Sequence, residues 1–322
     1  MRPFLSSPDC SEAFRRDRAI GSLLGLAVGD AVGTTLEFVL RDSEPPLLDM
    51  VGGGPFGLDK GEWTDDTSMA LCLAESLLAE RGLDVHDLMK RFCRWREFGE
   101  NSCTGECFDI GVTVDEALSR YQQTGNPLAG STDPDKAGNG SLMRLSPVAI
   151  FWHGDPEAAE QAAAEQSRTT HAAPAAVDAC RVFARLLVRA IAGESKQALL
   201  APQQVPAGLD AAVAAICGRA SWKAMGREQI RSTGYVVDCL EAALWSIEGA
   251  ESFERAILTA ANLGEDADTV AAVTGQLAGA IWGCSGIPLG WRTHLARSSE
   301  IRDLAGALFD AGRRMRAGQS PV

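Results

Sequence analysis

Four glycines recur at intervals of four residues in an apolar segment near the N-terminus: Gly21, Gly25, Gly29 and Gly33. The apolar residues between them follow the spacing of an α-helix, so the glycines form a stripe along one helical face. Each glycine inside a helix costs about 1 kcal/mol relative to alanine. The stripe therefore predicts that a second backbone lies close against this face. A poorly formed helix is the alternative.

Helical periodicity continues through almost all of the 322 residues, and no segment shows the sustained alternation of a β-strand. The predicted helices cover 18–33, 66–81, 84–98, 110–123, 141–153, 155–166, 171–192, 207–217, 224–230, 235–248, 251–263, 268–282 and 299–316. No low-complexity linker divides the chain. We expect one compact all-α domain over 18–316, with an N-terminal extension at 1–17 and a flexible tail at 317–322.

Charge and cysteine content narrow the class of protein. The chain carries 43 acidic and 30 basic residues, and this net charge of −13 argues against a general nucleic-acid binder, which needs a basic surface. Nine scattered cysteines and no signal sequence favour reduced thiols and a cytoplasmic protein.

The apolar segment 20–40 is as long as a membrane span, but Asp30 and Glu37 interrupt it. We expect a buried helix there, no membrane contact and a monomer.

Two segments far apart in the sequence each place several side-chain oxygens at the start of an apolar helix. They comprise Thr64, Asp65, Asp66 and Thr67 in the first segment and Asp266, Asp268 and Thr269 in the second. A capping role alone is one explanation, because Asp and Thr are common N-caps. However, one capping oxygen is enough, and the adjacent carboxylates of Asp65 and Asp66 repel each other without a cation. Oxygen-only ligand sets suit hard divalent cations, so a two-metal hydrolase is the other explanation.

Five motifs, in this order along the chain, resemble the ADP-ribosylglycohydrolases and extend from about residue 18 to residue 310. They are GSLLGLAVGDAVGTTLEF, EWTDDTSMAL, CFDIG, GNGSLMRLSPVAI and NLGEDADTVAAVTGQLAGAIWG. The resemblance implies a single all-α domain with two Mg²⁺ or Mn²⁺ ions in a central cleft. It also implies an enzyme that removes ADP-ribose from modified protein side chains. Cleavage of such a bond passes through an oxocarbenium-like state, and a third carboxylate can deprotonate the attacking water.

The resemblance also implies roles for individual residues. The implied metal ligands are Thr64, Asp65, Asp66, Asp266, Asp268 and Thr269. Asp109 matches the catalytic aspartate of arginine-directed members, and Glu37 matches the catalytic glutamate of serine-directed members. The structural alternatives are a helix N-cap for Asp109 and a solvated loop position for Glu37. We expect Asp30 to accept hydrogen bonds near the ligands rather than to bind metal itself.

The residues implied to contact ADP-ribose are Asn139, Gly140, Ser141, Met143, His171 and Tyr235. Free amides in the loop around Asn139 could hold phosphate oxygens, and Tyr235 would lie over the nucleotide part. Taken alone, a lone histidine or tyrosine is more often structural. Glu265 stands where many family members have Gly or Asp, and it leaves the ligand positions intact.

Several functional hypotheses follow. The first is a hydrolase that releases ADP-ribose from arginine, because Asp109 is present; a serine-directed hydrolase is its variant. The second is a catalytically silent protein on the same scaffold that binds ADP-ribose or a toxin, as an immunity factor does. An intact ligand set favours activity, because a pure binder has no need of five carboxylates that repel one another without metal. A metal-dependent phosphohydrolase that acts on a different nucleotide is a third hypothesis.

Overall fold

The computed structural model describes residues 11–203 and 208–316, so residues 1–10 of the predicted N-terminal extension and the predicted tail at 317–322 lie outside the described residues. Within these ranges the chain forms α-helices joined by loops and short 3₁₀ turns, and it contains no β-strand. This confirms the predicted all-α class. The helices are α1 Glu12–Gly33, α2 Asp65–Glu80, α3 Val85–Phe98, α4 Val112–Thr124, α5 Ser146–Phe151, α6 Pro156–Thr170, α7 Pro174–Ile191, α8 Lys196–Leu199, α9 Ala211–Arg219, α10 Val236–Glu248, α11 Phe253–Ala261, α12 Ala267–Trp282, α13 Leu289–His294 and α14 Ser298–Arg316.

Helix α1 packs against α12 along the glycine stripe. A Cβ atom on Gly25 would lie 2.3 Å from the carbonyl oxygen of Gly275, and one on Gly275 would lie 2.0 Å from the carbonyl oxygen of Gly25. Gly21 and Gly279 have the same relation, so the two helices run antiparallel. The predicted close approach of a second backbone is confirmed. The alternative of a poorly formed helix is wrong, because α1 is continuous over 22 residues.

These two helices form the centre of the core. Every residue of α1 from Ala19 onward is buried, and so is every residue of α12 up to Ile281. The segment Glu12–Leu36 is long and apolar enough to cross a membrane by length and composition alone, but 94% of its most apolar window is buried inside the protein. A helix that is apolar on all sides is expected where every face packs against protein.

Several predicted helix boundaries differ from those observed. The helices predicted over 155–166 and 207–217 are observed at Pro156–Thr170 and Ala211–Arg219, and two further differences lie near the N-terminus and near the middle of the chain. Helix α1 begins at Glu12 rather than at residue 18, so it includes part of the predicted N-terminal extension. The helix predicted over 171–192 begins instead at Pro174. Proline has no N–H to donate and suits the first turn of a helix, and His171 before it has an extended backbone.

Two further predicted helices are wrong over much of their length. The segment predicted as 141–153 is helical at Ser146–Phe151, and turns precede that helix. The segment predicted as 224–230 contains no α-helix; the 3₁₀ turns Ser221–Ala224 and Arg227–Gln229 lie there. The apolar residues from Leu142 to Phe151 are buried without forming one regular helix. In the second segment Ile230 is buried, whereas Ala224 is exposed and Met225 is half-buried, so that segment has no continuous apolar face.

The packing of α1 and α12 also brings three helix segments to one place. Gly33, at the end of α1, contacts the backbone of Ala267 and Asp268 in the first turn of α12. The first turn of α2, which begins at Asp65, donates backbone hydrogen bonds to Asp30 of α1. The starts of α2 and α12 therefore lie beside the same part of α1, although they are far apart in the sequence.

Candidate active site

Asp30 of α1 lies buried beneath the place where the starts of α2 and α12 meet. Its carboxylate accepts hydrogen bonds from the backbone N–H groups of Thr64 at 2.9 Å and Thr67 at 3.0 Å, and from both threonine hydroxyls. Burial, followed by the charge of Asp268, raises the pKa of Asp30 to about 7. Asp30 therefore accepts hydrogen bonds beside the implied ligands, as the sequence predicts, and these bonds also orient the start of α2.

The two acidic segments meet beside Asp30. The hydroxyl of Thr64 lies 3.4 Å from Oδ2 of Asp268, and the hydroxyl of Thr269 lies 3.3 Å from Oδ2 of Asp66. Asp66 is fully buried, and Asp65 is almost fully buried. Oxygen atoms from helix starts about two hundred residues apart thus share one small volume.

This cluster has too few protons to satisfy its own oxygen atoms. Oδ1 of Asp66 is buried without a hydrogen-bond partner. Thr64 has one hydroxyl proton, and its nearest acceptor is Asp30 at 3.0 Å, so its lone pairs face the carboxylates of Asp66 and Asp268. Burial, followed by the charges of neighbouring carboxylates, raises the pKa values of Asp65 and Asp66 well above their usual range. The residues present therefore fit a hard divalent cation, which would neutralise them and accept oxygen ligands.

Glu37 lies against the second acidic segment. One oxygen each from Glu37, Asp266 and Asp268 lie within 4.8 Å of one another, a spacing that could hold a metal ion. Glu37 is 4% exposed, so the alternative of a solvated loop position is wrong. Burial, followed by the charge of Asp268, strongly raises its pKa. The side-chain amide of Asn139 donates to Asp266 at 2.6 Å and so connects this cluster to the loop before α5.

Asp109 approaches the cluster from the loop before α4. Its φ of 59° lies in the left-handed region, which is uncommon for a residue other than glycine. Helix α4 begins at Val112 and has Gly111 as its N-cap, so the predicted helix start at residue 110 and the capping alternative for Asp109 are both wrong. Burial, followed by the charges of Asp65 and Asp268, raises the pKa of Asp109 to about 10.

The cluster lines part of a cleft with a volume of about 370 Å³. Its carboxylate lining consists of Glu37, Asp65, Asp109, Asp266 and Asp268. Two implied ligands, Thr64 and Asp66, lie in the fully buried part of the cluster and not on the cleft wall. A concave site with converging polar groups and perturbed carboxyl pKa values is typical of a binding or catalytic site.

The structure places four of the implied ADP-ribose contacts on the cleft wall: Asn139, Gly140, Met143 and His171. Ser141 does not line the cleft; it is fully buried, and its hydroxyl pairs with that of Ser167 at 2.8 Å. Tyr235 is 38% exposed, and its neighbour Gly234 lines the cleft in its place. The backbone of Tyr235 pairs with Gly138, so this residue borders the cleft without forming its wall.

The structure also adds an aromatic row that the sequence did not single out. Phe38 lines the cleft and is 67% exposed. Its ring centroid lies 6.4 Å from that of Phe56, which lies 5.3 Å from that of Phe108. Phe38 follows Glu37 and Phe108 precedes Asp109, so adjacency to the two implied catalytic positions was the available signal in the sequence.

Comparison with known proteins identifies the family of this chain. The sequence model of the family described as ADP-ribosylglycohydrolase matches residues 11–318. The chain is 45% identical over 308 residues to ADP-ribosylarginine hydrolase Tri1 of Serratia proteamaculans (strain 568), a match that covers 95% of this chain and 83% of the relative. It is 48% identical over 297 residues to the protein of the same name from Pseudomonas putida (strain GB-1), covering 91% of this chain and 78% of the relative.

A solved structure described as an ADP-ribosylglycohydrolase-related protein complex is also similar to this fold. It matches with a TM-score of 0.82 and 42% sequence identity, over 92% of this chain and 99% of that chain. The match of the family over almost the whole sequence and the similarity of the fold lead to one conclusion: the chain belongs to the ADP-ribosylglycohydrolase family.

Proposed function

We propose that this protein is a metal-dependent hydrolase that removes ADP-ribose from modified arginine side chains of other proteins. The observation that supports this most is the convergence of both acidic segments, Glu37 and Asp109 on one cleft. The two relatives that share nearly half of its residues are named ADP-ribosylarginine hydrolases. The complete carboxylate set favours a hydrolase over a silent binding protein, because buried carboxylates that repel one another destabilise a protein that binds no cation.

Two Mg²⁺ or Mn²⁺ ions are the proposed cofactors. Their ligands would be Thr64, Asp65, Asp66, Asp266, Asp268 and Thr269, with Glu37 close to the second segment. The unpaired oxygen of Asp66 and the crowded lone pairs around Thr64 support this assignment. When bound, such ions neutralise the carboxylates, hold ribose hydroxyls and lower the pKa of a bound water.

Asp109 is the proposed proton acceptor. The bond to be cut joins the anomeric carbon of the ribose to a nitrogen of arginine, and a water molecule attacks that carbon in an oxocarbenium-like transition state. Asp109 lies on the cleft wall, and its pKa of about 10 reflects burial and the uncompensated charges of Asp65 and Asp268. Neutralisation of those charges lowers this pKa, so Asp109 can then accept a proton from the attacking water. Glu37 is the alternative acceptor, and its use would indicate a serine-directed enzyme.

The turn from Asn139 to Met143, together with His171, is the proposed wall for ADP-ribose. Asn139 belongs to this wall and also donates a hydrogen bond to Asp266. This hydrogen bond joins the proposed ligand-binding turn to the second acidic segment. We further propose a monomer that acts in the cytoplasm. The eight cysteines in the described part of the chain are all free, which supports a reducing compartment.

Incubation with two peptides, one carrying ADP-ribosyl-arginine and one carrying ADP-ribosyl-serine, tests this proposal. We expect free ADP-ribose from the arginine peptide when Mg²⁺ or Mn²⁺ is present and none after removal of the metal. Release from the serine peptide alone would place the enzyme in the serine-directed class. A protein that binds ADP-ribose with metal but releases none from either peptide would contradict the proposed activity and indicate a binding protein.

A further inference from the structure

Arg144 is a fully buried cation that directly follows the cleft-lining turn. Its guanidinium donates hydrogen bonds to Gln166, Thr169 and Thr170, and it lies 4.5 Å over the ring of Phe92. It forms no ion pair with a carboxylate among the residues that the structure describes. A buried charge without a counterion is costly, so a position that binds only neutral groups requires an explanation.

Thr170 connects this cation to His171. Nη2 of Arg144 donates to Oγ1 of Thr170 at 2.9 Å, and the same Oγ1 lies 2.9 Å from Nδ1 of His171. A guanidinium can only donate, so Oγ1 accepts from Arg144 and its own proton points to another acceptor. Nδ1 of His171 is the acceptor within reach among the described contacts of Thr170. Nδ1 therefore accepts a hydrogen bond, and a neutral ring must carry its proton on Nε2.

The backbone contacts and the pKa of His171 indicate a ring that is fixed in place and neutral. Its N–H donates to Ser167 at 2.7 Å, and its carbonyl oxygen accepts from the hydroxyl of the same serine at 2.8 Å, so the residue is fixed on both sides. Burial, followed by the charge of Arg144, lowers the pKa of His171 to about 3. The imidazole is therefore neutral at physiological pH, with one donor and one acceptor nitrogen.

The donor nitrogen lies toward the cleft. Nε2 is 3.2 Å from the position that a Cβ atom would occupy on either Gly138 or Gly140, two residues of the cleft wall. It has no hydrogen-bond partner among the described residues, and His171 itself lines the cleft. A donor on the cleft wall without a protein partner is free to donate its hydrogen bond to a ligand or to water.

We propose that Arg144 and Thr170 are positioning residues that fix His171 as the Nε2–H tautomer, so that it presents a permanent hydrogen-bond donor to an oxygen atom of ADP-ribose. The hydrogen-bond relay is independent of the activity proposed above, whereas its ligand rests on that activity. In this relay the cation of Arg144 never reaches the ligand. It holds the threonine hydroxyl in the one orientation that leaves Nδ1 without a proton.

Nitrogen NMR of the imidazole rings tests the tautomer directly. The chain has four histidines, so loss of one set of signals in His171→Gln assigns that ring. In the ligand-free wild-type protein we expect a protonated Nε2 and an unprotonated Nδ1 on His171. Thr170→Val removes the hydroxyl at nearly constant volume and should give a mixture of tautomers, whereas Thr170→Ser should restore the wild-type signals.

Calorimetry with ADP-ribose and Mg²⁺ tests the consequence for binding. Glutamine places an amide N–H near the position of Nε2 and asparagine places it near Nδ1, so His171→Gln and His171→Asn form a matched pair. Loss of one donor to a ligand oxygen should weaken binding about tenfold in His171→Asn, and His171→Gln should recover most of this loss. Thr170→Val should raise KM for the ADP-ribosylated peptide about threefold to tenfold, with kcat changed less than KM.

If nitrogen NMR of the wild-type protein shows a protonated Nδ1 on His171, that measurement alone overturns the proposal. An unchanged tautomer in Thr170→Val, or equal ADP-ribose affinity in His171→Asn and His171→Gln, would also overturn it. If the wild-type ring has the expected tautomer but the protein binds no ADP-ribose with metal, the relay stands, and the proposed ligand and function fail.

Discussion

Substitution of Gly25 by alanine tests the close packing of α1 on α12. The added Cβ atom would lie 2.3 Å from the carbonyl oxygen of Gly275 and 3.0 Å from a ring carbon of Phe253. The oxygen belongs to a helix backbone and cannot rotate away, so relief requires the two helices to separate. Around Gly25 both helices are buried on all sides, and their neighbours resist this movement.

The expected cost follows from two opposing effects. Overpacking of a well-packed core costs about 1–3 kcal/mol or more, and a backbone clash lies at the upper end of that range. The better helix propensity of alanine returns about 1 kcal/mol. We therefore expect a net loss of about 2 kcal/mol in the free energy of unfolding for Gly25→Ala, which lowers the thermal midpoint of this 322-residue chain by about 3 °C. Differential scanning calorimetry in the presence of metal measures this shift.

Gly290 provides a matched control. It lies in the short helix α13, it is exposed, and a Cβ atom there would meet nothing within 4 Å. Gly290→Ala should leave the free energy of unfolding unchanged or raise it by up to about 1 kcal/mol, so the thermal midpoint should not fall. A Gly25→Ala protein as stable as Gly290→Ala would refute the argument that the stripe exists for backbone contact.

The remaining predictions concern the cleft. Asp109→Asn should retain ADP-ribose affinity within about tenfold, measured by calorimetry, and lose about 10²–10⁴-fold in turnover, measured by ADP-ribose release. Asp268→Ala should lower both quantities, because it removes an implied metal ligand. Glu37→Gln should retain more turnover than Asp109→Asn; the reverse order would indicate the serine-directed mechanism. Without metal, thermal stability should fall as pH rises from about 4 through about 7. The pKa values of Asp30 and Asp266 are both raised to about 7 in the folded protein. In that pH range the folded state therefore binds more protons than the unfolded chain, and a rise in pH favours unfolding. Saturating metal should reduce this fall, and a pH-independent midpoint in chelator would contradict the raised pKa values.

The fold class was predictable because its strongest signal is local. The glycine stripe from Gly21 to Gly33 and the apolar spacing around it require a helix with a close neighbour, and the structure supplies α12 as that neighbour. The identity of the neighbour was not predictable from this pattern. Gly275 and Gly279 lie in an equally apolar helix, but complementarity between two helices depends on their relative rotation, which hydrophobic spacing does not determine.

The site was predictable in its carboxylates and less so in its loops. Asp65, Asp66 and Asp268 are conspicuous because several oxygens at one helix start exceed the needs of capping. The turn before α5 was predicted as helix, because the apolar residues in SLMRLSPVAI have helical spacing although the first of them form turns. The role of Arg144 was hidden for a different reason. Arg144 is one charged residue in an apolar run, and its contacts with Thr170, and through it with His171, arise only from tertiary packing.

Metal-dependent release of ADP-ribose from an ADP-ribosyl-arginine peptide is the measurement that tests the central claim most directly. Protein stripped with a chelator should release no ADP-ribose, and stepwise addition of Mn²⁺ or Mg²⁺ should restore release in wild type but not in Asp268→Ala. This result is expected because the cleft carboxylates require neutralisation before they can bind ribose or accept a proton. Full release by the stripped protein, or metal-restored release by Asp268→Ala equal to that of wild type, would contradict the claim.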